Sequence, residues 1–198
     1  MTKRQKQAQE TKRRLYEAAT ALIQAKGFSD INIKDITDLA GVSKGTFYTH
    51  FKSKEDLILY IFTRSDEFFE KVYGKVKDLD FAYAMVQFVT LSFIEIEKRG
   101  KEVMKALAAS YPAVDYKSVY GEDRELVRCL RKLLEKGKEQ GAIRENLEIE
   151  ELLHMCIATL IGVELLWAFS GDDHKLSSRM EQQISVLVRG MLKTDHII

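Results

Sequence analysis

Apolar residues recur at helical spacing along almost the whole chain. Leu15, Ala18, Ala19 and Leu22 form an i, i+3, i+4, i+7 stripe, which predicts a first helix over about Thr11 to Lys26. Gly27 fits a left-handed stop there, with Phe28 folding back onto Ile23. Met1 to Glu10 reads as a mobile basic arm, polar enough that no secretory leader is expected. Asn32 and Asp35 make a capping pair for a second helix, about Ile33 to Ala40, with Ile36 and Leu39 on its buried side. Gly41 ends it where the chain must turn sharply, and Ser43 caps a third helix, about Lys44 to Phe51. Ser53 and Asp56 open a fourth that runs to about Gly74.

Beyond Gly74 the pattern becomes more apolar. Phe81 to Ile96 is apolar nearly all round, as a central buried helix would be. Lys101 to Ser110 is a shorter helix stopped by Pro112, and an irregular loop follows to Gly121. Glu122 to Gln140 is amphipathic through Leu126, Leu130, Leu133 and Leu134. Glu150 to Phe169 is strongly apolar, and Leu176 to Lys193 closes the chain. The expectation is an all-α protein of about nine helices without strands. Residues 1–54 would form a three-helix head with its basic arm, and residues 55–198 a helical bundle.

Charge sharpens this division. Residues 1–54 carry 11 Lys/Arg against 5 Asp/Glu, a net of +6, and the remainder has a net of −5. A basic head on an acidic body is the footprint of a protein that meets nucleic acid at one end. Cys129 and Cys156 fall in apolar helical patterns and read as buried free thiols. Neither has partners at metal-ligand spacing, so no metal or cofactor is expected. The longest apolar run, Met155 to Phe169, is interrupted by Thr159 and Glu164. It is also shorter than the roughly 20 residues a bilayer needs, so no membrane span is expected. Four histidines, none beside a nucleophile in a recognisable motif, give no support to an enzyme.

The segment Asn32 to Leu57 has the form of a helix-turn-helix. Phe47 and Phe51, four residues apart, would point inward. Lys44, Gly45, Tyr48 and Thr49 would face out, Gly45 allowing close approach and Tyr48, Thr49 and His50 offering hydrogen bonds. Lys34 and Lys54 would clamp the backbone of a duplex on either flank. Many helical bundles that never meet DNA contain similar segments, so spacing alone leaves that alternative open.

The run DLAGVSKGTFYTHFKSKEDL closely resembles the signature of the tetracycline-repressor (TetR) family of bacterial transcriptional regulators. The likeness covers roughly residues 11 to 60. A weaker likeness lies in GKEQGAIRENLEIEELL, at the boundary of that family's seventh and eighth helices. The resemblance implies that the helix from Ser43 reads the major groove, with Lys34, Ser43, Lys44, Gly45, Thr46, Tyr48, Thr49, His50 and Lys54 as the DNA-facing set. It implies a cytoplasmic homodimer on a double-stranded, palindromic operator, with repression as the usual mode. It also implies that helices eight and nine pair across the two-fold axis. Leu153, Ile157, Leu160, Ile161, Met180, Ile184, Leu187, Val188 and Met191 are the apolar positions expected there, with intramolecular core as the open alternative.

A small-molecule effector is implied as well, and the bundle offers Met85, Phe88, Met104, Tyr111, Tyr116 and Trp167 to line its pocket. Ordinary core packing would explain each of them equally well. Glu164 is the unusual member, a carboxylate in an apolar helix that must find a partner or a ligand. The few polar groups point to an apolar or amphipathic effector. The competing function is a DNA-binding protein of the same fold without a small-molecule switch, acting in DNA organisation or through a protein partner.

Overall fold

The computed structural model describes residues 2–64, 66–110, 112 and 116–193. Among them are eleven helices: α1 (Lys3–Lys26), α2 (Ile33–Ala40), α3 (Lys44–His50), α4 (Lys54–Thr63), α5 (Asp66–Val76), α6 (Phe81–Glu97), α7 (Lys101–Ser110), α8 (Tyr116–Tyr120), α9 (Glu125–Glu139), α10 (Ile149–Phe169) and α11 (Leu176–Met191). Extended pairing among the described residues is limited to one isolated bridge, Ile143 with Leu192.

The all-helical expectation holds, with three local corrections. The basic arm is helical rather than mobile: Thr2 and Gln5 form a reciprocal capping box that starts α1 at Lys3. The single helix expected from Lys54 to Gly74 is two, α4 and α5. Gly27 has φ 81° and ψ 161°, so it throws the chain into an extended path instead of the left-handed stop.

The chain divides into two compact units. The first joins Met1–Arg64 with Arg99–Asp115, so it extends past residue 54 and recruits α7 from later in the sequence. Within it α1 packs on α2, α4 and α7, and α3 packs on α2. Leu15, Ile23, Ile36, Phe47, Leu57, Ile61 and Leu107 are sealed in its core. Arg14 of α1 donates through Nη2 to the carbonyls of Ala40 and Gly41, which closes the C-terminal end of α2. At the other end of α1 the Gln24 amide donates to the carbonyl of Arg99 (2.9 Å), and the Arg99 guanidinium donates to that of Ile61 (3.1 Å).

The second unit, Ser65–Lys98 with Tyr116–Ile198, is built round α6. That helix packs on α5, α9 and α11, and α10 packs on α9 and α11. Its near-continuous apolarity is explained by burial of Phe81, Met85, Phe88, Val89, Phe93 and Ile96. Gly137 of α9 permits the close approach of α6: a Cβ there would lie 2.7 Å from the Phe81 ring and 2.8 Å from Ile143. Arg124, buried, grips Asp66 at the start of α5 with two nitrogens (3.0 and 2.9 Å) and donates a third bond to the carbonyl of Val119. Both cysteines are free and buried, and burial pushes each thiol up to about 12, far from the reactive thiolate range. Among the described residues α10 alone is long and apolar enough to cross a bilayer by composition. It is a bundle helix, with Leu152, Cys156, Leu160, Trp167 and Ala168 buried.

The expected pairing face is not free. Met180, Ile184, Val188 and Met191 are sealed within the chain because α11 lays its apolar stripe on α6. Leu153, Ile157 and Leu160 are likewise buried, and Ile161 and Leu187 are half-buried. The apolar residues left outside on these two helices are Met155, Leu166 (70% exposed), Phe169 (65%) and Val186 (68%). The first three lie on one face of α10, at spacings of eleven and fourteen residues.

Candidate nucleic-acid interface

Local sequence dictates the geometry of α2 and α3. The Asn32 side chain accepts from the amide of Asp35 (3.0 Å), and the Asp35 carboxylate accepts from the amide of Asn32 (2.9 Å), which fixes the start of α2. Gly41 adopts φ 63° and ψ 42°, a left-handed conformation that side-chain-bearing residues resist, and so ends α2. Two residues later Ser43 Oγ accepts from the amide of Thr46 (3.1 Å) and starts α3. Only seven residues long, α3 is held by its two aromatic anchors. Phe47 and Phe51 are buried with ring centroids 5.7 Å apart, and Phe51 meets Tyr60 of α4 at 5.3 Å.

This anchoring leaves the opposite side of α3 open. Lys44, Gly45 and Thr49 are exposed, and Tyr48 is 51% exposed with its ring edge-on against Phe47 at 5.5 Å. Lys44 forms no ion pair and Tyr48 no hydrogen bond among the described residues. A Cβ on Gly45 would meet only Ser43 Oγ, at 3.7 Å, so packing does not demand the glycine. Thr49 donates its hydroxyl hydrogen to the carbonyl of Gly45 (3.0 Å), which leaves its oxygen to act as an acceptor. Thr46 and His50 are half-buried. Burial, and then the nearby charge of Lys12, hold the His50 imidazole below its usual range, favouring the neutral ring.

The two flanking lysines differ. Lys34 is exposed and paired with Asp38 (2.6 Å), a solvent-screened contact that a phosphate could replace. Lys54 points inward. Its ammonium donates to the carbonyls of Phe28 (2.7 Å) and Ile31 (2.8 Å) and lies 4.2 Å from the Phe28 ring centroid. It therefore pins the loop between α1 and α2 to the start of α4, and the expected role of a free backbone clamp does not fit this geometry. Lys54→Ala should lower stability by about 2–3 kcal/mol, since two charge-assisted hydrogen bonds disappear and two half-buried carbonyls lose their donor. Thermal melting checks this: an unchanged Tm would show that the bonds contribute nothing.

Two residues that the sequence did not single out complete this surface. Arg14 holds the end of α2, and Lys12 sits over the rings of Phe51 and Tyr60 at 5.6 and 5.0 Å. Nothing in the linear pattern separates them from the other basic residues between positions 3 and 14.

The effector-pocket expectations do not converge on one described site. Met85 and Phe88 are buried on α6. Met104 is buried on α7, in the first unit. Tyr111 and the side chain of Tyr116 lie outside the described residues. Trp167 is buried, and its indole nitrogen donates to the carbonyl of His174 (2.9 Å), a bond that secures the loop after α10. Glu164, 2% exposed, accepts from the hydroxyl of Tyr120 (3.0 Å), a partner that the sequence did not indicate. No group of His, Cys, Asp and Glu among the described residues could hold a metal ion.

The profile of the bacterial regulatory proteins of the tetR family matches residues 15–61, from Leu15 of α1 to Ile61 of α4. Over residues 15–61 the chain carries the DNA-binding region of the tetR family. That region is the mark of a DNA-binding regulator rather than of an enzyme. The chain is similar to the HTH-type transcriptional repressor KstR2 of Mycolicibacterium smegmatis, with 24% identity over 91% of this chain and 90% of that protein. Its fold matches the transcriptional regulator FadR of Bacillus subtilis in complex with stearoyl-CoA at a TM-score of 0.67, with 18% identity over 90% of this chain and 98% of that one. It also matches SmeT, the repressor of the Stenotrophomonas maltophilia multidrug efflux pump SmeDEF, at a TM-score of 0.71, with 17% identity over 96% and 95% of the two chains.

Proposed function

We propose that this protein is a cytoplasmic tetR-family transcriptional repressor that binds a palindromic operator as a homodimer and leaves it when an apolar or amphipathic small molecule binds the second unit. The observation that carries the reading is α3 itself. A seven-residue helix is capped at Ser43, held from behind by Phe47 and Phe51, and presents Lys44, Gly45, Tyr48 and Thr49 outward. A side chain on such a face reaches base edges once the helix enters a major groove. One short helix reads few bases, so a second copy about one helical turn of DNA away supplies the remaining affinity.

The pairing face in this reading is the exposed side of α10 and α11, with Met155, Leu166, Phe169 and Val186, and not the buried stripes. The repressor assignment is supported by the name of the KstR2 relative. A fatty acyl thioester is supported as the effector class by the stearoyl-CoA complex of the similarly folded FadR. The effector acts only through its different affinity for the two arrangements of the dimer.

Selection from a random duplex pool tests the reading. The protein should enrich a palindrome with half-sites about one helical turn apart, and stearoyl-CoA should release it where free coenzyme A does not. Failure to enrich any sequence would refute DNA recognition. Enrichment of a palindrome that no acyl thioester releases would refute the effector class alone.

A further inference from the structure

The helix α1 begins at Lys3, yet its first buried residue is Leu15. Residues 3–14 are thus helical with no residue in the core, although Ala8, Thr11 and Lys12 are half-buried. An isolated helical segment of this length is marginal in water, and this one persists as the continuation of a helix anchored further along. Its charges carry a penalty of their own. Lys3, Arg4 and Lys6 lie in the opening turns, where the helix dipole disfavours cations, and the first turn contains no acidic residue.

The six basic residues between positions 3 and 14 fall into two groups. Lys12 rests over Phe51 and Tyr60, Arg13 pairs with Glu10 and Glu17, and Arg14 binds the end of α2. Lys3, Arg4 and Lys6 are exposed and form no ion pair among the described residues. No contact among the described residues uses their charge. Position also matters. Lys12 stands beside the C-terminal end of α3, and Lys3 lies about 14 Å further along the same axis. Arg4, Ala8, Thr11 and Leu15 follow i, i+4, i+7, i+11 spacing, so Arg4 lies on the face of α1 that turns toward the rest of the head. That stripe has no large apolar residue before Leu15, which makes it a poor membrane anchor.

We propose that the first two turns of α1 are a second DNA contact, outside the helix-turn-helix, in which Lys3, Arg4 and Lys6 bind backbone phosphates flanking the groove that α3 enters. The inference rests on the reading of α3 given above. A phosphate backbone supplies the anions that this cationic turn lacks, and the rigid connection through α1 sets the distance between the two contacts. Because backbone phosphates are the same at every sequence, this contact adds affinity and salt dependence without changing the sequence selected.

The test compares the full-length protein with its K3Q/R4Q/K6Q variant on a duplex retrieved by the unaltered protein from a random pool, long enough to include both flanks. Glutamine keeps the helix propensity of lysine and arginine, so the circular dichroism should not change. Titrations between about 50 and 200 mM salt should give a slope of log K against log salt shallower by about 2–3 per subunit in the variant. The variant should select the same sequence. An unchanged slope with full affinity would overturn the α1 contact and leave the α3 reading intact. So would a variant that differs from the unaltered protein only in binding to phosphatidylserine vesicles. Retrieval of no duplex by the unaltered protein would sink both readings.

Discussion

Tyr48→Ala leaves the protein folded and removes at least about 30-fold of its affinity for the selected duplex. The side chain is half exposed and makes one described ring contact, edge-on to Phe47, so its loss costs the fold little. On DNA the balance reverses. A lost base-reading contact costs about 1–3 kcal/mol at each half-site, and a symmetric dimer loses it twice, which compounds to roughly 30-fold at the low end and beyond 10⁴-fold at the high end. Gel shift or anisotropy with the retrieved palindrome reads the loss, while thermal melting should stay within about 0.5 kcal/mol of the parent. Full affinity in this variant would place the recognition surface elsewhere.

If the protein pairs through the exposed face of α10 as proposed, Leu166→Glu should leave a single chain of 22.8 kDa. Leu166 is 70% exposed in the isolated chain, so a carboxylate there is hydrated and harmless until a second copy covers it. Within a two-fold interface the substitution appears on both sides. Each buried, unpaired carboxylate costs on the order of 3 kcal/mol, enough together to weaken association about 10⁴-fold. Sedimentation should show the lower mass with helicity retained. Ile184→Ala provides the contrast, because Ile184 is fully buried under α6: it should lose about 2–5 kcal/mol of stability and keep the dimer. A dimer that survives Leu166→Glu but falls apart with Ile184→Ala would return the interface to the buried stripe.

The parts of the molecule that sequence specified well are those set by neighbours a few residues apart. Asn32 with Asp35, Gly41, and Ser43 with Thr46 placed α2 and α3 to within a residue, because caps and left-handed turns are decided by the backbone they touch. The misjudged positions depended on distant contacts. Lys54 has the composition of a phosphate clamp, and only its meeting with Phe28 and Ile31 turns it inward. The apolar stripe of α11 shows which side avoids water but not whether α6 or a second chain covers it. Two signals were present and went unused. Thr2 and Gln5 form a capping pair ahead of the basic arm, and Asp66 with Glu67 is the acidic first turn that marks α5 as a new helix. The wall of an effector site was the least legible, since buried methionines and aromatics look alike whether they pack on one another or on a ligand.

The route of the backbone through the first unit has a practical consequence. The polypeptide leaves at Arg64, builds most of the second unit's first half, and comes back at Arg99 to contribute α7. Val103, Met104, Ala106 and Leu107 are buried there, and Gln24 and Ile61 hold the returning strand of chain through Arg99. Truncation after the fourth helix would therefore strip away one wall of the reading head and leave the cores of α1 and α4 wet. The unit that holds α3 is not a detachable cassette. Exchange with a relative would have to carry two separate stretches of gene, one for Met1–Arg64 and one for Arg99–Asp115.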